Sequence, residues 1–365
     1  MKIISGDRIF FLLVLSIALA GLAIFSSAAL GLLARESSSV SKDILLQGGL
    51  GLGFGIIALV VARAIPIALI KRFAPYLFGA TILFTALVFV PGIGFHSGGA
   101  TRWIDLGFTT VQPVEFLKIG FVIMLAWWLA PHARQLGNVK NGLLPFVGII
   151  ALPSAILLAQ PNTSTTLLIV ATGIVMYFVA GAPWRDFGIL ALLLIITLFS
   201  IAYMRPYVLE RIETFMNPSE NSLGSGYQIQ QSLIAIGSGG LLGRGFGQSV
   251  EKFNYLPEPD GDSVFAVFAE EAGFVGAILL IILFVGISAR GIVIAGNAHD
   301  LFGGLVAFGF SFMIILQAFI NICAMLGIIP LTGMPLPFIS HGGTALMATL
   351  LMCGLILNVA AHRKT

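Results

Sequence analysis

The sequence predicts an all-α polytopic membrane protein with about ten transmembrane helices. Two observations carry this. The 365 residues are 58% hydrophobic and only 10% charged, with a mean hydropathy of +1.02, whereas a soluble domain carries about 25% charged residues. The apolar residues also fall into runs close to the ~20 residues that a helix needs to cross a bilayer.

Ten such runs cover 9–33, 44–62, 74–91, 114–130, 143–159, 165–181, 187–203, 263–288, 301–327 and 341–361. The first exceeds the ~7–15 residues of a signal-peptide core and is expected to remain as an anchor. An even number of spans puts both termini on one side, and the distribution of cations makes that side cytoplasmic. Eleven cations fall inside (Lys2, Arg8, Arg63, Lys71, Arg72, Arg134, Lys140, Arg185, Arg290, Arg363, Lys364), against Arg35, Lys42, Arg102 and Lys118 in the short outer segments. Of sixteen acids only Asp7, Asp186 and Asp300 are placed inside. The acidic outer face locates the chemistry outside the cytoplasm. The whole chain, 1–365, reads as one membrane domain.

Between the seventh and eighth spans lies a long outer loop, 204–262, with an amphipathic start at Arg205–Phe215 and glycines at 237, 239, 240, 243, 245 and 247. Loops of this length usually carry structure of their own, so short helices are expected. The polar segments 92–113 and 328–343 are also non-spanning. Irregular backbone at membrane depth must be buried in protein or line a cavity, so the three segments are expected to converge on one outward-facing cavity. Close packing or a tight turn is the reading of the glycine run, which lacks the preceding strand and the lysine of a nucleotide loop. Cys323 and Cys353 sit in apolar runs and read as small core hydrophobes.

The loop ends in Leu256-Pro-Glu-Pro-Asp-Gly-Asp262, with Glu270 and Glu271 following inside the next span. Carboxylates at such places are costly and mark functional candidates. Asp262 stands where a helix N-cap would stand, and this structural role weighs equally with a catalytic one. A general base needs a pKa near the working pH, and repulsion from Glu258 and Asp260 pushes in that direction. Ala266, Ala269, Gly273 and Gly276 form a stripe that admits close helix approach. Glu115 and Lys118, three residues apart, can pair on one helix face, and self-neutralisation is favoured over a groove-lining role. Arg102 beside Trp103 reads as an interface anchor or a phosphate grip. Arg211, Arg244, Lys252 and Lys118 are candidates to face the same cavity. His341 has no partners at metal-ligand spacing, and no metal-binding residues are assigned.

Taken in order, Arg102-Trp103, Gln112-Pro-Val-Glu115-x-x-Lys118, Gln160-Pro161, Gly226-Tyr-Gln228, Gln231 to Gly240, Leu256-Pro-Glu258, Asp262, Ala269-Glu-Glu271 and Pro335 to Gly343 resemble the SEDS family, the FtsW/RodA/SpoVE group of bacterial peptidoglycan polymerases. The resemblance implies ten helices and a place in the bacterial inner membrane, with the active site on the extracytoplasmic face. It implies glycosyl transfer on lipid II, with Asp262 catalytic and Arg102, Glu115, Lys118, Gln160, Glu258 and Ser340 binding substrate. It implies partners too: lipid II and undecaprenyl-linked glycan, a class B penicillin-binding protein, and other divisome or elongasome membrane proteins, with no nucleic acid. A divalent cation (Mg or Mn) at the pyrophosphate is compatible with the site, although no cofactor is demanded. A lipid II flippase that forms no bond, or a scaffold for a synthase, are the competing readings, and Glu270 and Glu271 would suit the flippase. Three departures from the family pattern stand out. Gln-Pro-Asp reads Gln160-Pro-Asn162, His-Thr-Asp reads Asp260-Gly-Asp262, and Ser-Tyr-Gly-Gly reads Ser340-His-Gly-Gly. The phrase Gly247 to Tyr255 leans toward the division-type members.

Overall fold

The computed structural model describes residues 7–31, 46–97, 100–105, 107, 110–204, 206–217, 224–253 and 255–362. Lys2, Arg35, Lys42, Arg205, Arg363 and Lys364, which entered the charge count or the loop reading, lie outside the described residues.

Helix α1 (Arg8–Ala29) starts at Asp7, whose carboxylate accepts from the Phe10 amide at 3.0 Å. A π-helical turn, Leu46–Gly53, runs into α2 (Phe54–Ala64). That helix stops at Ile65, which takes the extended conformation (φ −68°, ψ 128°) that a following proline, Pro66, imposes. Next come α3 (Ile67–Ala86) and α4 (Pro113–His132), the latter with proline in its first turn, where no intrahelical N–H is missed. Then follow α5 (Leu143–Ala159), α6 (Thr163–Val179) and α7 (Trp184–Met204). The long loop holds α8 (Pro206–Met216) and α9 (Ser225–Ser238), so it does carry helices of its own. The chain closes with α10 (Val264–Gly296), α11 (Leu301–Met325) and α12 (Gly343–Ala361).

Helix occupies the greater part of each of the ten apolar runs among the described residues. Among the described residues, seven helical stretches of at least 18 residues are long and apolar enough to cross a membrane, and α5 and α6 are shorter apolar helices. The chain is a multi-pass membrane protein. Between α3 and α4 lies a small antiparallel sheet that hydropathy did not reveal: β1 (Gly94–Ser97), β2 (Ala100–Asp105) and β3 (Thr110–Val111). Ile104 is its central position, opposite Gly94 on one side and Val111 on the other.

Helices α4, α11 and α12 form the centre, and apolar residues all round them are buried, Phe121, Leu125, Phe310 and Ile356 among them. Outer helices keep exposed apolar faces, for example Ile9, Leu12 and Leu19 of α1 and Leu192, Ile195 and Phe199 of α7. These faces suit contact with lipid.

One element departs from regular geometry in a way that positions the site. Helix α10 is interrupted at Gly273 (φ 68°, ψ −169°). A break inside a bilayer frees backbone groups that water cannot reach. The glycine run of the long loop takes them up. Glu270 and Glu271 carbonyls accept from the Arg244 and Gly245 amides, both at 3.0 Å, and the Phe274 and Val275 amides donate to the Gly240 and Leu241 carbonyls at 2.9 and 3.1 Å. Such closeness needs residues without side chains. A Cβ on Gly239 would strike the Ala269 carbonyl, and one on Gly243 (φ 81°) the Glu271 carbonyl. The close approach expected of a helix along the small-residue stripe is made here by the glycine run of the loop.

Candidate active site

Asp262 is placed by the three carbonyls around it. The Asp260 carbonyl accepts from the His341 amide at 2.7 Å, the Gly261 carbonyl from the Ser340 hydroxyl at 2.6 Å, and the Asp262 carbonyl from the Asn321 side chain at 2.8 Å. Asn321 also donates to the Met334 carbonyl at 2.7 Å, which ties α11 to the segment before α12. The Asp262 carboxylate accepts from Gln228 of α9 at 3.0 Å. Capping of α10 is not its task, because the residue before the helix is Ser263 and it makes no side-chain cap bond.

The carboxylate opens into a polar cavity of about 460 Å³, lined by parts of all three non-spanning segments together with α4 and α11. The predicted convergence is therefore met. Arg102, Glu115, Lys118, Glu258 and Asp262 line it, with Arg211 of α8, Gln317 of α11, and Gln47, Asp260 and His341 in addition. A point beside Gly333, where a Cβ would stand, is 3.9 Å from an Asp262 carboxylate oxygen and 4.0 Å from an Arg211 nitrogen, so the two groups face one space. Glu115 and Lys118 form a buried ion pair at 2.7 Å, as their spacing allows, and Lys118 also donates to Gln317 at 3.0 Å. The pair both neutralises itself and faces the cavity.

Two predicted binding residues stand behind the wall. Gln160 is buried and its side chain donates to the Thr85 carbonyl at 2.8 Å, while its backbone carbonyl accepts from Arg102 at 3.4 Å, so it holds Arg102 from the rear. Arg102 is fixed further by the Pro161 carbonyl. Ser340 accepts from the Leu336 amide at 2.8 Å and spends its hydroxyl proton on Gly261. Arg244 and Lys252 do not reach the cavity. Arg244 pairs with Glu270 at 3.3 Å and Lys252 is buried against Glu271 at 2.7 Å, where they anchor the long loop to α10. Asn162 keeps a local role without a charge, because its side-chain oxygen accepts from the Thr165 amide at 3.3 Å and caps α6.

The residues missed by sequence reasoning are the amides. Gln47 bridges to the Ser340 carbonyl at 3.0 Å and the Gly342 amide at 3.1 Å. Gln317 and Asn321 lie four apart on α11, and polar residues inside an apolar span were the available signal.

Burial pushes the Asp262 pKa up to about 6, with repulsion from Glu258 adding to it; the Gln228 hydrogen bond and the Arg211 charge oppose the rise. A carboxyl tuned to that range is mostly ionised at neutral pH and still basic enough to take a proton.

Beside the polar cavity lies an apolar groove of about 620 Å³ between α5, α6 and α7, with Arg211, Thr163, Ser164, Thr332 and Met334 on the boundary of both.

The family model described as cell cycle protein, covering FtsW, RodA and SpoVE, matches residues 7–365. The chain belongs to this family. Within the FtsW/RodA/SpoVE family it is 39% identical over 312 residues to stage V sporulation protein E of Bacillus subtilis, covering 86% of this chain and 85% of that protein. It is 35% identical over 333 residues to the peptidoglycan glycosyltransferase MrdB of Escherichia coli, covering 90% and 89%. A solved chain from a peptidoglycan synthase complex that coordinates polymerization and crosslinking superposes with a TM-score of 0.79 at 30% identity, covering 97% of each chain.

Proposed function

We propose that the chain is a peptidoglycan glycosyltransferase that extends glycan strands from lipid II by an inverting reaction, with Asp262 as its general base. The observation that carries this reading is the placement of Asp262. A desolvated carboxyl with its pKa raised to about 6 shares a polar cavity with Arg102, Lys118 and Arg211, and an apolar groove adjoins that cavity. The family relation to a named peptidoglycan glycosyltransferase supports it.

In this reading the Asp262 carboxylate takes the proton from the GlcNAc 4-hydroxyl of the acceptor lipid II. The freed oxygen bonds to the anomeric carbon of the terminal MurNAc of the growing chain. The bond from that carbon to the pyrophosphate oxygen breaks, and its electron pair leaves with undecaprenyl pyrophosphate. Attack opposite the leaving group gives a β-1,4 link. A pyrophosphate needs charge compensation more than a proton, so a second carboxylic acid is not required. Fixed cations in a desolvated site provide such stabilisation without reorganisation. Arg102, Lys118 and Arg211 supply it here, and Glu115 orients Lys118.

The apolar groove suits a polyprenyl chain, whose pyrophosphate end would then lie at Arg211. Among the described residues no group of three or more His, Cys, Asp and Glu side chains is placed to hold a metal ion. A magnesium or manganese ion would draw its ligands chiefly from the pyrophosphate itself, and no step above is routed through one. In this reading the site faces the outside of the inner membrane, a side that the charge distribution favours, and a class B penicillin-binding protein that cross-links the strands is the expected partner.

The test is the purified chain with its cognate class B penicillin-binding protein, reconstituted in vesicles and given labelled lipid II. Polymer formation supports the reading. Lipid II that crosses the bilayer without forming polymer would instead make the protein a transporter.

A further inference from the structure

Two of the three departures from the family pattern touch each other. Asp260 and His341 are 81 residues apart in sequence, yet the His341 ring nitrogen Nδ1 lies 3.4 Å from the Asp260 carboxylate and its backbone amide donates to the Asp260 carbonyl at 2.7 Å. The Asp260 side chain is 11% exposed and that of His341 48% exposed, with the imidazole resting against the Phe25 ring at 5.6 Å between centroids. On one side of the contact a histidine is replaced by an acid, and on the other a tyrosine is replaced by a histidine. An aspartate left alone at this rim would add another carboxylate, after Glu258, beside Asp262.

We infer that Asp260 and His341 are a coupled positioning pair: their side-chain contact, added to the backbone bonds at Asp260, Gly261 and Asp262, fixes the turn that sets the Asp262 carboxylate in the cavity. Neither residue touches the reacting atoms in this account. Three consecutive carbonyls of the turn are held from α11 and from Ser340–His341, so a shift of the 340–343 segment carries Asp262 with it. Asp260 and His341 link the two segments through side chains, and these can be exchanged without removing a backbone bond. The exchange of residue types across the contact is then one compensated change. It exploits the fact that contacting residues are coupled whereas distant ones act independently.

The inference rests on Asp262 being the base, and the experiment separates the two claims. The full chain with its partner synthase is assayed on labelled lipid II as Asp260→Ala, His341→Ala, the double alanine variant, the exchange Asp260→His with His341→Tyr, and Asp262→Ala alongside. Each single alanine variant is expected to lower kcat about threefold to tenfold with KM changed less than about twofold, as misplacement of a catalytic group does. The double variant should be no slower than the slower single, and the exchange variant should return to within about threefold of the parent. Losses that multiply in the double variant, that fall wholly on KM, or that the exchange does not repair overturn the pair, and so do single variants as fast as the parent. Melting temperatures in detergent, compared across the same cycle, read the coupling independently of activity. Polymer from Asp262→Ala overturns the base assignment instead, and leaves the coupling in melting temperature to judge the pair.

Discussion

At the residue scale, the account turns on how the surroundings tune Asp262. Desolvation and Glu258 raise its pKa, and Gln228 and Arg211 lower it. A base must be ionised to act, so the polymerisation rate should fall as pH drops through about 6. Glu258→Gln removes a repelling charge, lowers the Asp262 pKa and moves this acidic limb to lower pH. Gln228→Ala removes a donor to the carboxylate and moves the limb to higher pH. Rate profiles of the two variants between pH 5 and 8 check both signs. Carboxylates at the edge of and inside an apolar span are conspicuous in the sequence, and the resemblance to the family motif singled out Asp262 among them. The roles of Gln47, Gln228 and Asn321 were not legible, although an amide inside an apolar span marked Asn321, because a neutral amide acquires its role only from the partner that folding brings to it, and those partners lie 34 to 295 residues away. Gln160 and Ser340 were expected to touch substrate. Their side chains are turned instead to the Thr85 and Gly261 carbonyls, a distinction of orientation that residue type does not encode.

At the element scale, the interruption of α10 at Gly273 is the joint between membrane helix and long loop. Two devices hold it. One is the exchange of backbone hydrogen bonds with residues 240–245. The other is a buried ionic cluster: Lys252 donates to Glu271 at 2.7 Å and to Ser27 of α1 at 3.1 Å, and Glu270 accepts from the Ser249 hydroxyl at 2.5 Å. Gly243→Ala forces a side chain toward the Glu271 carbonyl at positive φ and should cost about 1–3 kcal/mol, read as a lowered melting temperature in detergent. Lys252→Met leaves Glu271 buried without its cation and should cost about 3–5 kcal/mol, and adding Glu271→Gln should recover part of that loss. The helices were legible in the sequence because each is a long apolar run. The sheet was not, since strands of four, six and two residues sit in a polar segment too short to show an alternating pattern. The glycine run was readable as a close-packing element, but the helix break it serves, at Gly273 just after Glu270 and Glu271, was not legible in a run counted as one continuous span.

At the scale of the whole molecule, the polar cavity and the apolar groove meet at Arg211, Thr163, Ser164, Thr332 and Met334. A lipid-linked sugar has that division of character, with a charged linkage between a polar head and an apolar tail. Filling the groove with Ala151→Trp should raise KM for lipid II about tenfold and leave kcat nearly unchanged, because tail binding is made equally in ground and transition states. A short-prenyl analogue of lipid II should be less affected. The convergence of three distant segments on one cavity followed from a physical rule, that irregular backbone at membrane depth must be enclosed. The division of labour among the cations did not follow, since sequence grouped Arg211, Arg244, Lys252 and Lys118 by charge, and folding sends two to the cavity and two to the joint on α10. The claim on which everything depends is that Asp262 removes the acceptor proton. It is tested most directly by glycan synthesis from labelled lipid II with Asp262→Ala in the full chain, reconstituted with the class B penicillin-binding protein proposed as its partner. The account predicts that strands disappear in Asp262→Ala although the protein stays folded, and that Asp260→Ala still makes them at a reduced rate. Strands made by Asp262→Ala at the parent rate would contradict it.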